Sequence, residues 1–251
     1  MRVVLSFLIL CAVLLLWTRG NLLILFSGTG WLPLLIGIAA FVVLATIARR
    51  INDQLQARRD RGYAAYCQSR GFEFVGSRPG AEAEYAGFWL FDQGYARTVQ
   101  HEFSGTNAGH RFRAFEYTYT TGGGRATRLH EQGVITWTDV GANLPEFTLG
   151  PEYPYNRITQ VLGSSDIDFP EDPAFSNAYV LKAPNEGEIA GAFTPQVRAF
   201  LAANRGQHVS GSANRLIWWL EGRLPPPELL DAFLSDGAMI RDLFLTTQES
   251  S

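Results

Sequence analysis

The chain has 251 residues, 47% of them hydrophobic, and a formal net charge of -3, enough for a membrane segment and one soluble domain of ordinary size. The charge is unevenly spread: residues 1–70 carry eight arginines against Asp53 and Asp60, a net of +6, and the remainder carries 13 basic and 22 acidic side chains, a net of -9. So acidic a soluble part argues against a nucleic-acid binder, which needs clustered Lys and Arg against phosphates. Two cysteines, Cys11 and Cys67, exclude a disulfide framework and a cysteine-based zinc site.

Two apolar runs open the chain. The first, Val3 to Trp17, is shorter than the roughly 20 residues of a relaxed span, but Arg2 and Arg19 at its ends can snorkel. A cleaved secretory signal is the competing reading. WTRGN offers no small-x-small cleavage pattern, and Leu10 before Cys11 fits a lipoprotein site poorly, so two spans are favoured. The second run, Trp31 to Arg50, ends at paired arginines, and SGTG, Ser27 to Gly30, makes a turn-rich connection. Trp17 and Trp31 then fall at one water interface of a hairpin with spans at about 3–17 and 31–48. Arg49, Arg50, Arg58, Arg59 and Arg61 follow the second span, and the loop has only Arg19, so positive-inside bias places residues after 50 in the cytoplasm. These arginines either set topology alone or also face anionic lipid. Residues 51–70 continue as an arginine-rich juxtamembrane helix that stops at Gly71, a natural left-handed cap.

From Phe72 the chain alternates aromatic and β-branched residues between Gly, Pro and Asn, a strand pattern. FEFV and FWLF are short strand candidates; Tyr95–Phe103, His110–Thr121 and Ala126–Asp139 are longer ones, joined by SGTNAG and GGG as an antiparallel meander. LPEFTLGPEYPYN, 144–156, predicts a strand fragment running into a loop, and AYVLKA, 178–183, a strand. Within 186–206 the apolar residues Ile189, Phe193, Val197, Phe200 and Leu201 make one helical face, and Thr194-Pro195 marks the cap and first position of a second helix ending near Asn204. HVSG and RLIWWLE predict a hairpin around 212–214, with Trp218 in the core and Trp219 on the surface, or the reverse. A last helix spans 228–245, with Leu229, Leu230, Phe233, Leu234, Ile240, Leu243 and Phe244 in its stripe, before a polar tail at 246–251. The fold class expected is α+β: a two-helix transmembrane hairpin, then an antiparallel meander covered by two amphipathic helices over 71–245.

Chemistry is sparse. No phosphate-binding loop, dinucleotide fingerprint, metalloprotease or nucleophile-elbow motif is present, and no cofactor is implied. If Phe103 pairs with His110 and Thr121 with Arg125, then Arg97, Glu116 and His130 share a cross-strand row. That row would be either a carboxylate orienting a histidine or a solvent-face charge ladder. The same registers place Phe115, Tyr117 and Tyr119 on a core face with Leu129, Ile135 and Trp137, and Arg111 and Arg113 on that face near the strand start, reaching solvent. Asp166, Asp168, Glu171 and Asp172 lack the glycine turn and terminal glutamate of a calcium loop, so no metal is expected. His101, His110, His130 and His208 are scattered.

The segments AFEYTYT, LPEFTLGPE, DIDF, FSNAYVLKA and FTPQVRAFL resemble an uncharacterised bacterial family of small membrane proteins with two N-terminal spans and a cytoplasmic α+β domain. The resemblance covers most of residues 70–245 and brings no catalytic or binding residue with it. It implies a multi-pass inner-membrane protein. The expected function is a membrane-anchored, non-catalytic interaction module that meets lipid and either a protein partner or a second copy of itself. The alternatives are a membrane-tethered hydrolase near Glu116 and His130, and a small-ligand sensor.

Overall fold

The computed structural model describes residues 31–152 and 166–246. The first apolar run, with Trp17, lies outside them. By contact the chain divides into Met1–Arg59 and Asp60–Ser251.

In the first unit the described residues are helical. They open the single helix α1, Trp31–Arg70, which no proline or glycine interrupts after its first turns except Gly37 and Gly62. Leu35, Ile36, Ile38, Phe41, Val42, Val43, Leu44 and Ile47 are all exposed. Among the described residues α1 is the one helix long and apolar enough to cross a membrane, and none of its most apolar window is buried.

The second unit is an α+β domain around one eight-stranded antiparallel sheet. Its strands are β1 Glu73–Gly76, β2 Tyr95–Asn107, β3 His110–Thr121, β4 Arg128–Trp137, β5 Leu144–Pro151, β6 Tyr179–Lys182, β7 His208–Ala213 and β8 Arg215–Glu221. Their order is β1-β2-β3-β4-β8-β7-β5-β6. The meander is real for β1 to β4, but the β7–β8 hairpin inserts between β4 and β5. At the β6 edge, the Ile167 amide donates to the Leu181 carbonyl at 2.9 Å and the Leu181 amide to Asp166 Oδ1 at 3.0 Å, so a neighbouring segment occupies the outward backbone groups of Leu181.

One face of the sheet is apolar and covered by more helices than the two expected. Phe103, Phe112, Ala114, Ile135, Trp137 and Trp218 pack there in one cluster with Tyr63 and Cys67 of α1. The same cluster takes residues from α3 Pro173–Ser176, α4 Glu186–Ala192, α5 Pro195–Ala203 and α6 Leu230–Thr246, the last preceded by a 3-10 turn, Pro227–Leu229. Thr194 caps α5 as the sequence predicts, its hydroxyl accepting from the Val197 amide at 3.5 Å. The Tyr63 hydroxyl donates to the Leu224 and Pro225 carbonyls at 3.1 Å, tying the end of α1 to the entry of α6.

The opposite face carries a smaller aromatic cluster. Tyr85, Phe88, Leu90 and Phe91, from the 3-10 turn Ala81–Tyr85 and the helical turn α2 Trp89–Asp92, pack on Phe115, Tyr117, Val134, Ile217 and Trp219. FWLF is therefore a helical turn and not a strand: Gly87 and Gly94 both take positive φ beside it, and the Phe91 amide closes onto the Phe88 carbonyl at 2.9 Å. The sheet is thus buried on both faces. Trp218 and Trp219 do point opposite ways, yet both are buried, and neither is a surface anchor.

Candidate functional site

The expected row of Arg97, Glu116 and His130 does not form. The loop between β2 and β3 is only Ala108-Gly109, both at positive φ, a two-residue hairpin turn that lets β2 run on to Asn107. Phe103 therefore faces Ala114, and after a bulge Gln100 faces Glu116. On the other side Thr121 pairs with Arg128, not Arg125, because a 3-10 turn, Gly124–Ala126, takes up three residues. Three is odd, and an odd slip moves every side chain of a strand to the other face. Glu116 then opposes Gly133, and His130 opposes Tyr119. Glu116 and His130 lie on opposite faces of the sheet, which removes the hydrolase expectation at that pair. His130 stacks on Tyr119, centroids 4.7 Å apart, and its Nε2 is 2.8 Å from the Thr121 hydroxyl. Arg97 sits beside the first bulge of β2 and donates to the carbonyls of Asp92, Gln93 and Gly94. The slip also puts Ile135 and Trp137 on the face away from Phe115, Tyr117 and Tyr119, and leaves Leu129 exposed.

The basic residues expected to meet lipid lie along α1. Arg49, Arg50, Arg58 and Arg61 are exposed, and Arg59 is half-buried. Trp31 is the first residue of α1.

What the registers do create is a polar row across the whole sheet. Glu73 faces Ser104, Ser104 faces Arg113, Arg113 faces Thr136, Thr136 faces Ile217, Ile217 faces Ser210, Ser210 faces Thr148, and Thr148 faces Lys182. Side chains directly opposite in an antiparallel pair share a face. One row thus runs through all eight strands on the face away from the large core, polar at both ends with Ile217 alone in the middle. The aromatic segment around 85–91 packs on that apolar middle. Hollows on this face include one of about 300 Å³ lined by Trp89, Asp92, Glu146, Thr148 and Ser212, and one of about 550 Å³ lined by Arg70, Glu73, Arg111, Arg113, Thr136 and Thr138.

An ion-pair network pins the aromatic segment down. Glu102, 1% exposed, accepts from Arg78 at 2.8 and 3.2 Å and from Arg113 Nη1 at 3.2 Å. Glu84 joins both arginines. The Arg78 bonds hold Glu84 below the ordinary carboxylate range, although its partial burial opposes them.

Three buried polar groups stand out for chemistry, and none completes a catalytic set. His101 takes φ 54° at the second bulge of β2, with Nδ1 2.7 Å from Asp60 Oδ1 and Nε2 without a hydrogen bond. Its ring is 1% exposed, so a substrate proton cannot reach Nε2. His208 stacks on Trp219 at 5.1 Å with neither ring nitrogen hydrogen-bonded, and burial pushes it down to about 4, so it is neutral at pH 7. Ser210, two residues on, spends its hydroxyl on Thr148 at 3.0 Å, not on a base. The acidic stretch at 166–172 is committed as well: Asp172 caps α3 and meets Arg198 Nε at 3.3 Å, and Glu171 meets Arg198 Nη2 at 3.1 Å. No group of three or more metal-ligating side chains converges among the described residues.

Sequence reasoning missed this face because it follows from register. Only the alternation of Arg111, Arg113, Phe115, Tyr117 and Tyr119 in β3 signalled a face that changes from basic to aromatic.

No family model matches the chain, and no curated protein matches it. Among solved structures, the crystal structure of the mycobacterial trehalose monomycolate transport factor A, TtfA, is similar with a TM-score of 0.49 and 11% identity, over 74% of this chain and 93% of that one. A likeness at that level assigns no function.

Proposed function

We propose that this chain is a bacterial inner-membrane protein of the two-span family it resembles, whose cytoplasmic domain is a non-catalytic interaction module. The observation that carries the reading is α1. Its first half exposes eight large apolar side chains, each favouring an apolar surround by about 1.5–3 kcal/mol, so lipid is their natural medium. Its last turns, through Tyr63 and Cys67, belong to the core of the α+β domain.

The hairpin with spans at 3–17 and 31–48 and the cytoplasmic side of the domain rest on the arginine bias. Each of Arg49, Arg50, Arg58, Arg59 and Arg61 adds about 1 kcal/mol when it meets an anionic leaflet. The dispersal of Glu116, His130 and Arg97, and the engagement of Ser210 and Asp172 within the fold, favour a module over an enzyme. The two hollows on the polar face favour a second reading, small-ligand sensing by the same domain.

The test is crosslinking of the full-length protein in its own membranes at native abundance, followed by purification. A stoichiometric protein partner that disappears when the domain after residue 70 is deleted is the expected result. Recovery of the chain alone would overturn the module reading.

A further inference from the structure

We propose that the 550 Å³ groove over β1 to β4 binds a substituted phosphate, a mono- or diester, between Arg111, Arg113 and Thr136. Residues after 70 carry a net charge of -9, yet the walls of this groove hold three arginines and one carboxylate, Glu73. The smaller hollow, with Asp92 and Glu146, is what an acidic domain provides anywhere. This groove is basic against its background.

Its arginines are not equivalent. Arg70 is spent on Asp231. Arg113 uses only Nη1 on Glu84 and Glu102, which leaves Nε and Nη2 to donate as a fork. Arg111, two residues earlier on the same face and opposite Thr106, has no ion pair among the described residues. Thr136 adds a hydroxyl. It faces Arg113 in register and is 2% exposed, and its hydroxyl lies beside that of Tyr85. That hydroxyl can turn from Tyr85 to donate to an anionic oxygen in the groove.

Two guanidinium groups with a hydroxyl donor at their side suit a tetrahedral oxyanion, which accepts from all three. The volume exceeds a bare phosphate and leaves room for its organic remainder. Glu73, across the row, works against a free dianion and accepts a hydrogen bond from a hydroxyl or ammonium on that remainder. A lipid headgroup and a soluble phosphoester offer the same chemistry. The inference does not rest on the module reading, which stands on α1 and the crosslinking test.

The experiment uses full-length protein in nanodiscs of phosphatidylcholine. Calorimetric titration with inorganic phosphate and with glycerophosphoethanolamine is one arm; replacing part of the phosphatidylcholine by phosphatidylethanolamine, with protection of Arg111 from a guanidinium-directed reagent as readout, is the other. Arg111→Gln, Thr136→Val and, as an exposed arginine elsewhere, Arg128→Gln are compared after circular dichroism shows native folding. The expected result is tighter binding of the diester than of phosphate, weakened about tenfold or more by Arg111→Gln, several-fold by Thr136→Val, and unchanged by Arg128→Gln. Protection by the lipid without binding of the soluble diester also supports the site and assigns it to a headgroup. No binding or protection in either arm, or equal losses in Arg111→Gln and Arg128→Gln, overturns it.

Discussion

Gly237 of α6 and Gly191 of α4 are both helical glycines, and the structure predicts opposite signs for their replacement by alanine. In an open helix the change stabilises by up to about 1 kcal/mol, because glycine has more backbone freedom to lose. At Gly191 an added Cβ meets nothing within 4 Å, so Gly191→Ala is expected to gain most of that. At Gly237 the same atom would stand 2.7 Å from Ile135 Cδ1 and 2.9 and 3.1 Å from two ring carbons of Trp218. Ordinary contact begins near 3.4 Å, so something has to move by several tenths of an ångström. Ile135 and Trp218 are fully buried, and the indole Nε1 is held on Gln207 Oε1 at 2.8 Å, so tilting the ring lengthens that bond. The easier movement is for α6 to lift, loosening Phe233 and Ile240. Overpacking of this kind costs about 1–3 kcal/mol against a propensity gain of up to about 1, which leaves Gly237→Ala destabilised by up to about 2 kcal/mol. Urea unfolding of the full-length protein in detergent, followed by far-ultraviolet circular dichroism, reads both variants. Shifts of the same sign would refute the close approach of α6 to β4 and β8.

Three further outcomes are expected. Glu102→Gln leaves two guanidinium groups around a buried amide; because Arg78 and Arg113 are part-exposed and can turn to Glu84 and water, the loss is set at about 2–4 kcal/mol, and a midpoint unchanged in urea would show the network to be ornamental. His208 titrates at about 4 when folded against about 6.5 when unfolded, so the unfolded chain takes up the proton first; its contribution is complete above pH 6.5 and falls by up to about 3 kcal/mol as pH drops toward 4. His208→Phe, stacked in its place on Trp219, is expected to flatten that acid-side slope, and an unchanged slope from pH 4 to 6.5 counts against the assignment. Cys67, 1% exposed and pushed up to about 11 by burial, is expected to resist maleimide from either side of the membrane until the domain unfolds, and Gln68→Cys in a Cys67→Ser background to react from the cytoplasmic side only; rapid labelling of Cys67 in folded protein would contradict its packing.

The parts of this fold that are legible in the sequence are those set locally. The long apolar helix, the Thr194-Pro195 helix start, the β7–β8 hairpin and the stripe of α6 follow from composition, capping and period. What was not legible is register. An alanine, Ala108, takes the left-handed position of a tight turn where asparagine or glycine is the usual sign, so SGTNAG reads as a long loop and hides four residues of strand. GGGRA conceals a 3-10 turn in the same way. Each error is only a few residues, but an odd slip exchanges the two faces, which separated Glu116 from His130 and assembled the Glu73-to-Lys182 row instead. The insertion of β7–β8 between β4 and β5 depends on long-range pairing that no local pattern records. Burial of Trp219 under the segment around 85–91 depends on the same pairing, which is why a surface position was expected for one tryptophan.

The two margins of the sheet differ in how they treat a newcomer strand. At β6 the backbone of Leu181 is already occupied by Asp166 and Ile167, which blocks the middle of that edge to a strand from another copy. At the other margin β1 is only four residues long, with its register broken between Phe74 and Gly76. So short and kinked an edge is a poor template for lengthening the sheet. Neither described margin therefore offers a long, free row of backbone groups through which a second sheet could extend this one.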